Sequence, residues 1–157
     1  MSNNNSLDLF LNAVIEEPQE VKFVASKRIL NPQTKEPLEW TLKPLVEADY
    51  RALRDQTREE CTKKTHQGQV YFQDKKFVDL FNRRLAVRCT VMPDLDNAQL
   101  QDKHGAVDGE ELLGKMLSLQ GEYDSYLQKA QEINGYEPYK GLMTEEEMRE
   151  TAKNELK

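Results

Sequence analysis

The side chains that most often perform chemistry in proteins are few and widely separated in this sequence. The two histidines, His66 and His104, fall in separate predicted loops, and neither stands at a zinc-site spacing from Cys61 or Cys89. Both cysteines lie within stretches of apolar periodicity, so we expect reduced thiols buried in the core. This set of residues therefore predicts neither a metal site nor a disulfide.

The acidic residues are numerous, but their spacing is better explained by helix ends than by a site. Three aspartates between positions 94 and 102 match a calcium loop only in part, because Ala98 stands where an oxygen ligand is needed. A helix cap at Asp96 is the better interpretation, and Glu110-Glu111 suits the first turn of a helix. The sequence predicts a protein with no catalytic residues and no cofactor. An enzyme of unrecognised type stays as an alternative, which a cofactor retained on purification would favour.

Positive charge is concentrated in the middle of the chain, although the net charge is −6. Between Arg58 and Arg88 there are eight lysines and arginines and four acids. With Tyr71 and Phe72, this stretch could follow a nucleic-acid backbone and stack on bases, so the alternative function is a small nucleic-acid-binding regulator that uses residues 58–88. We do not expect useful DNA affinity, because an excess of four positive charges over 31 residues offers few simultaneous phosphate contacts.

Apolar residues at the N-terminus follow the spacing of an amphipathic helix. The pattern begins at Leu7 and ends at Ile15, with Ser6 expected as the N-cap and Pro18 closing the helix. A helix this short does not hold itself in water, so its apolar face must dock on the domain or on a partner. Three arginines lie on the helix predicted over 74–91. They form either a solvated cationic face or a binding surface for an acidic protein partner. The expected partner-binding residues are Leu7, Phe10, Leu11, Val14, Arg83, Arg84 and Arg88.

The rest of the pattern predicts an α+β fold that is predominantly α-helical, with an N-terminal β-hairpin followed by a bundle of about five helices. Alternating apolar residues mark strands at 21–25 and 38–42, joined by a proline-containing loop. Helices are expected over 47–62 and 74–91, after caps at Asp96 and Asp108, and from Tyr123 to Ile133 after a break at Gly121. Residues 63–73 are expected to form a loop that holds at most a strand fragment at 70–72.

The chain divides into three parts on composition. Residues 1–18 form the N-terminal segment with its short helix, 19–136 the domain, and 137–157 a polar tail with a thin helix and few apolar side chains. The apolar runs are too short to cross a bilayer, and the N-terminus has no secretory pattern. We therefore expect a cytoplasmic protein.

Several ordered motifs resemble the XkdN-like family of phage tail assembly chaperones. They are VKFVASKR at 21–28, LEW at 38–40, AVRCTVMPDLDNAQLQD at 86–102, GEELLGKML at 109–117, GEY at 121–123 and QEINGY at 131–136. The resemblance covers roughly residues 7–136, and it is specific as a set, since each motif alone is ordinary helix and turn chemistry.

The resemblance implies a non-catalytic chaperone encoded by a contractile-tailed phage or a prophage. Its implied partners are the tape measure protein, which it shields through apolar helix faces, and the tail tube protein, whose subunits it helps to recruit. Self-association is also expected, whereas membrane and nucleic acid are not. The implied place of action is the bacterial cytoplasm, and the chaperone leaves before the virion is complete.

Overall fold

The computed structural model describes residues 3–136 together with Arg149 and Lys153, and within this part of the chain it contains six helices and five short strands. In chain order these are α1 (Asn3–Leu11), β1 (Val21–Phe23), β2 (Trp40–Leu42), α2 (Glu47–Glu60), β3 (Thr62–Lys64), β4 (Val70–Phe72), α3 (Asp74–Cys89), β5 (Thr90–Met92), α4 (Ala98–His104), α5 (Gly109–Met116) and α6 (Gln120–Ile133). The predicted class is confirmed, because a paired β1 and β2 precede a helix-rich body. Apart from Arg149 and Lys153, the predicted polar tail at residues 137–157 lies outside the described residues.

A three-stranded antiparallel sheet forms one side of the core. Its order is β1-β2-β5, and Val21 pairs with Leu42 while Phe23 pairs with Trp40. Successive side chains of a strand point to opposite faces, so Trp40 and Leu42 share the face that the helices cover. Both are buried, whereas Thr41 on the other face is half-buried.

Helix α3 lies between two apolar clusters and organises the helical layer. Phe81, Leu85 and Cys89, spaced by four residues, pack with Leu53 of α2 in the smaller cluster. Ala86, one position further round the helix, belongs instead to the larger cluster that holds Trp40, Leu112 and Tyr126. The broad apolar face predicted for this helix is therefore divided between two neighbours.

Helix α6 closes the larger cluster by inserting Tyr126 under the sheet. The ring meets the Trp40 ring edge-on, with their centroids 5.1 Å apart. The phenolic oxygen lies 2.5 Å from Thr90 Oγ1, and that hydroxyl donates to the carbonyl of Ala86 at 2.7 Å. Burial raises the pKa of the Tyr126 phenol well above its ordinary value, so the phenol keeps its proton and donates to Thr90.

Asn134 fastens the end of α6 to the chain that joins β2 to α2. Its side-chain oxygen accepts from the backbone N–H of Leu45 at 3.0 Å. Its amide nitrogen donates to the carbonyl of Ala130 at 2.7 Å and to the sulfur of Cys89 at 3.3 Å. One side chain thus ties three elements together.

The N-terminal helix is real, but both of its predicted ends are wrong. It begins at Asn3, so Ser6 lies inside it and is not the N-cap, and it ends at Leu11, well before Pro18. The backbone and side-chain amides of Asn12 both donate to the carbonyl of Asp8, which closes the last turn. The β-branched residues Val14 and Ile15 that follow favour a helix only weakly.

The stretch expected to be mainly a loop is a complete β-hairpin. Strands β3 and β4 pair antiparallel, with Lys63 opposite Tyr71, and Gly68 turns the chain with a φ of 84°. The strand fragment at 70–72 is confirmed, but its lysine-rich partner strand was missed, because lysine has a low β-propensity. Helix α3 likewise ends at Cys89 instead of Val91, since the next residues pair with β2.

Two predicted helix starts also need correction, and one is confirmed. Asn97, not Asp96, caps α4, because its side-chain oxygen accepts from the N–H of Leu100. Helix α6 begins at Gln120, so Gly121 lies in its first turn and does not separate it from α5. Asp108 caps α5 as expected, accepting from the N–H of Glu111 at 2.8 Å.

Candidate interaction surfaces

The N-terminal apolar residues are largely exposed to solvent. Leu7, Phe10, Leu11 and Val14 are between 60% and 89% exposed, and their neighbours Leu9 and Ile15 are 72% and 90% exposed. Fully burying a side chain of this size contributes about 1.5–3 kcal/mol. A partner that covers these six side chains would therefore gain a large part of its binding free energy from them. We call residues 7–15 the apolar segment. The predicted amphipathic pattern did not include Leu9, because Leu9 lies on the opposite side of the helix from Leu7 and Leu11.

The three arginines of α3 do not form one free cationic face. Arg84 is half-buried and donates to Glu60 at 2.6 Å, and it also lies 3.7 Å from Glu110. This bond raises the pKa of the Arg84 guanidinium and lowers that of Glu60. Arg88 lies about 40° from Arg84 around the helix and is exposed. Arg83 lies about 100° from Arg84, on the side of α3 that faces α6.

Arg83 contacts the phenol of Tyr123, whose pKa burial raises above its ordinary value and the arginine lowers in part. The arginine is half-buried, so its position on α3 gives it a structural contact to α6. Of the three predicted arginines, only Arg88 is exposed.

A shallow cavity of about 230 Å³ lies where α2, α3 and the start of α5 meet. It brings together Arg84 and Arg88, and the lining residues are Leu53, Gln56, Arg84, Val87, Arg88, Asp96, Asp108, Gly109 and Glu110. Within it Arg84 pairs with Glu110, and Asp108 caps α5. The ion pair and the cap stabilise the junction of the three helices.

The β3–β4 hairpin carries exposed apolar and basic side chains that sequence analysis did not assign as one surface. All six strand residues are exposed, including Val70 and Tyr71. Phe72 packs on Phe77 of α3, and Arg58 lies over both rings, so this face is anchored to the domain. Lys63 and Tyr71 share one face of the hairpin, and Lys64, Val70 and Phe72 share the other.

Both cysteines of the chain lie in the interior of the domain. Cys61 and Cys89 are free, buried thiols as predicted, and burial raises the pKa of Cys89 above its ordinary value. A buried neutral thiol is a poor nucleophile. Among the described residues there is no cluster of three side chains fit to hold a metal ion, and no helix there is long and apolar enough to cross a membrane.

The structure is thus a helix-rich α+β domain with an exposed apolar segment at its N-terminus. Residues 7–153 match the family of Phage XkdN-like tail assembly chaperone proteins. The chain is 30% identical to the phage-like element PBSX protein XkdN of Bacillus subtilis strain 168, over 97% of both chains. It therefore belongs to the XkdN-like phage tail assembly chaperone family, as the sequence motifs indicated.

Two further similarities involve the protein YqbN of the same Bacillus strain, whose function its name leaves uncharacterised. A stretch of 74 residues is 36% identical to it, which covers 47% of this chain and 46% of YqbN. The crystal structure of YqbN superimposes with a TM-score of 0.64 and 24% identity, over 82% of this chain and 95% of that one. This structural likeness supports the fold.

Proposed function

We propose that this tail assembly chaperone binds the tape measure protein through the apolar segment and keeps it soluble until tail tube subunits assemble around it. The observation that carries the proposal is the exposure of six large apolar side chains on residues 7–15. Contiguous exposed apolar surface on a soluble domain is typical of a binding site. A short helix followed by an extended chain can lie along another helix, as helix-in-groove partners do.

The proposed action is binding without catalysis. The cavity between α2, α3 and α5 contains paired charges, and the described cysteines are buried. To shield an apolar helix of the tape measure, the chaperone needs only an apolar surface. The tail tube subunits then replace that surface when the tail assembles. We place this exchange in the cytoplasm of the bacterial host, before the virion is complete, with the tail tube protein as the second partner.

Co-expression with the tape measure protein of the same phage or prophage tests the proposal. The wild-type chaperone should keep the tape measure in the soluble fraction and co-purify with it. Phe10→Asp with Leu11→Asp should abolish both effects while the domain stays folded, because both side chains are exposed. A matched control is Ser6→Asp with Gln19→Asp, which adds the same charge at exposed positions beside the segment and removes no apolar side chain. If the double aspartate variant at 10 and 11 still solubilises the tape measure, the proposed site is wrong.

The structure gives the nucleic-acid alternative less support than the sequence did. Arg84 is engaged with Glu60 and Glu110, and Arg58 lies over two phenyl rings. The cations left exposed on the hairpin are few, and binding to DNA rises with the number of phosphates neutralised. Salt-sensitive micromolar binding to duplex DNA would nevertheless promote that function over the chaperone proposal.

A further inference from the structure

The N-terminal part of the chain carries negative charge that no other described side chain neutralises. Residues 1–20 contain no lysine or arginine, and their acids are Asp8, Glu16, Glu17 and Glu20, which gives a formal side-chain charge of −4. All four carboxylates are exposed, and among the described residues none has a cation within 4.0 Å. A partner that covers the apolar segment must therefore approach through a negative field.

The acids flank the apolar side chains both around the helix and along the chain. Asp8 lies on α1 about 60° around the helix from Leu11, at the border of the apolar stripe. The other three acids begin immediately after Ile15, the last residue of the apolar segment. Charge beside an apolar contact contributes more to the choice of partner than to affinity. The position of the acids thus indicates which partners the segment accepts.

The three acids after the apolar segment lie on an open stretch of chain. Residues 12–20 form no helix or strand, and Pro18 disfavours the helical conformation at Glu17. The Cα atoms of Glu16 and Glu20 can therefore lie as much as about 13 Å apart. An α-helix covers this distance in about seven to nine residues, which is just over two turns. A partner helix that runs along this stretch meets both acids when its cations have that spacing.

An exposed apolar helix can also insert into a lipid surface, but the sign of the charge opposes this here. Amphipathic helices that bind membranes carry lysine and arginine on the polar face, which anionic headgroups attract. The residues that flank this segment are acids, so an anionic surface repels it. The charge therefore favours a cationic protein partner over a bilayer.

We propose that the apolar segment selects amphipathic helices of the tape measure protein that carry lysine or arginine beside their apolar stripe. Leu7, Phe10 and Leu11 cover the stripe. Glu16 and Glu20 lie against cations about seven to nine residues apart on the bound helix. Acidic amphipathic helices are rejected, because like charges then face each other. The inference rests on the proposed function and names the chemistry of the partner helix at that site.

Binding of designed peptides to the full purified chain, followed by fluorescence anisotropy, measures this selection. The labelled peptides are about 20 residues long, so that they can form a helix, and share one leucine stripe. They differ only at flanking positions about seven residues apart, which hold lysine, glutamine or glutamate. The lysine peptide should bind at least about tenfold more tightly than the glutamate peptide, with the glutamine peptide between them. The difference should shrink as the salt concentration rises, because salt screens exposed charges.

A pair of variants with equal net charge separates local from overall electrostatics. The test variant neutralises the three acids that follow the apolar segment: Glu16→Gln, Glu17→Gln and Glu20→Gln. The matched control neutralises three exposed acids elsewhere in the chain: Glu36→Gln, Glu39→Gln and Glu59→Gln. A preference caused by the overall charge of −6 would fall equally in both variants. We expect the test variant to lose most of the preference for the lysine peptide and the control to keep it.

The inference is overturned if the peptides bind alike, if none of them binds, or if the test variant keeps the preference. It is also overturned if the full chain binds phosphatidylglycerol vesicles more tightly than the lysine peptide. The proposed function has a separate outcome, the solubility of the tape measure when it is co-expressed with the Phe10→Asp, Leu11→Asp variant. Equal binding of all peptides, together with loss of that solubility, would refute the charge selection and leave the proposed function standing.

Discussion

Truncating Phe10 and Leu11 to alanine tests whether the apolar segment contributes to the stability of the domain. Phe10 is 80% exposed and Leu11 is 70% exposed, so only a fifth and about a third of the two side chains are covered. Complete burial of such side chains is worth about 1.5–3 kcal/mol each. The double variant should therefore lower the free energy of unfolding by about 1.5 kcal/mol at most.

A matched pair in α3 provides the comparison. Phe81 and Leu85 are the same residue types, but Phe81 is 6% exposed and Leu85 is fully buried in the smaller cluster. Truncating both to alanine removes large side chains from the core, which typically costs about 3–5 kcal/mol for phenylalanine and 2–5 for leucine. Domains of this size are stable by only about 5–15 kcal/mol, so this second variant should unfold or nearly so.

The assay is urea denaturation followed by far-ultraviolet circular dichroism, at a low protein concentration so that self-association adds little. Helix α1 is short, so the signal reports mainly on the domain. If truncation of Phe10 and Leu11 lowered the free energy of unfolding by about 3 kcal/mol or more, the segment would have to pack on the domain. Both the exposure argument and the proposed partner site would then be wrong.

Three further predictions concern the domain itself. Tyr126→Phe should destabilise it by about 1–1.5 kcal/mol in urea denaturation, because Thr90 loses its buried donor, and an unchanged midpoint would refute that hydrogen bond. Val46→Ser should raise the melting temperature by supplying the missing cap of α2, worth about 1 kcal/mol; a lower melting temperature would mean that the valine packs usefully. Arg84 lowers the pKa of Glu60 from 4.5, so the ion pair stabilises the fold above that pH and the contribution is lost as pH falls further. Glu60→Gln should therefore make acid unfolding less steep below pH 4.5, and an identical profile would contradict the pairing.

Local patterns predicted most of the helices and the main strands, because their apolar residues follow the period of one kind of structure. The spacing Phe77, Phe81, Leu85 and Cys89 indicated a core helix, and three of the four are buried on α3. The missed strand β3 shows the limit of that reasoning. Thr62–Lys64 has no apolar alternation, and it becomes a strand only because Phe72 and Arg58 anchor its partner to α3.

The candidate partner-binding residues were predicted only in part from the sequence. Sequence periodicity identified most of the apolar segment, and its amphipathic pattern left open whether it packs inside or outside the domain. Arg84 was taken as part of a cationic face, because its partners Glu60 and Glu110 are distant in the chain and meet it only after folding. Contacts between remote residues leave no mark on local spacing, so the separation of Arg83, Arg84 and Arg88 could not be predicted.

The single tryptophan of this chain occupies a position that makes it a built-in optical reporter. Trp40 is 2% exposed and lies against Tyr126 of the last helix, whereas the apolar segment and the hairpin contain no tryptophan. Its fluorescence therefore reports whether α6 has closed over the sheet and is insensitive to events at the segment. When a partner engages the N-terminus, an unshifted emission maximum shows that the domain has stayed closed, while a red shift shows that water has reached the core. Folding and assembly can thus be recorded separately in one unlabelled sample.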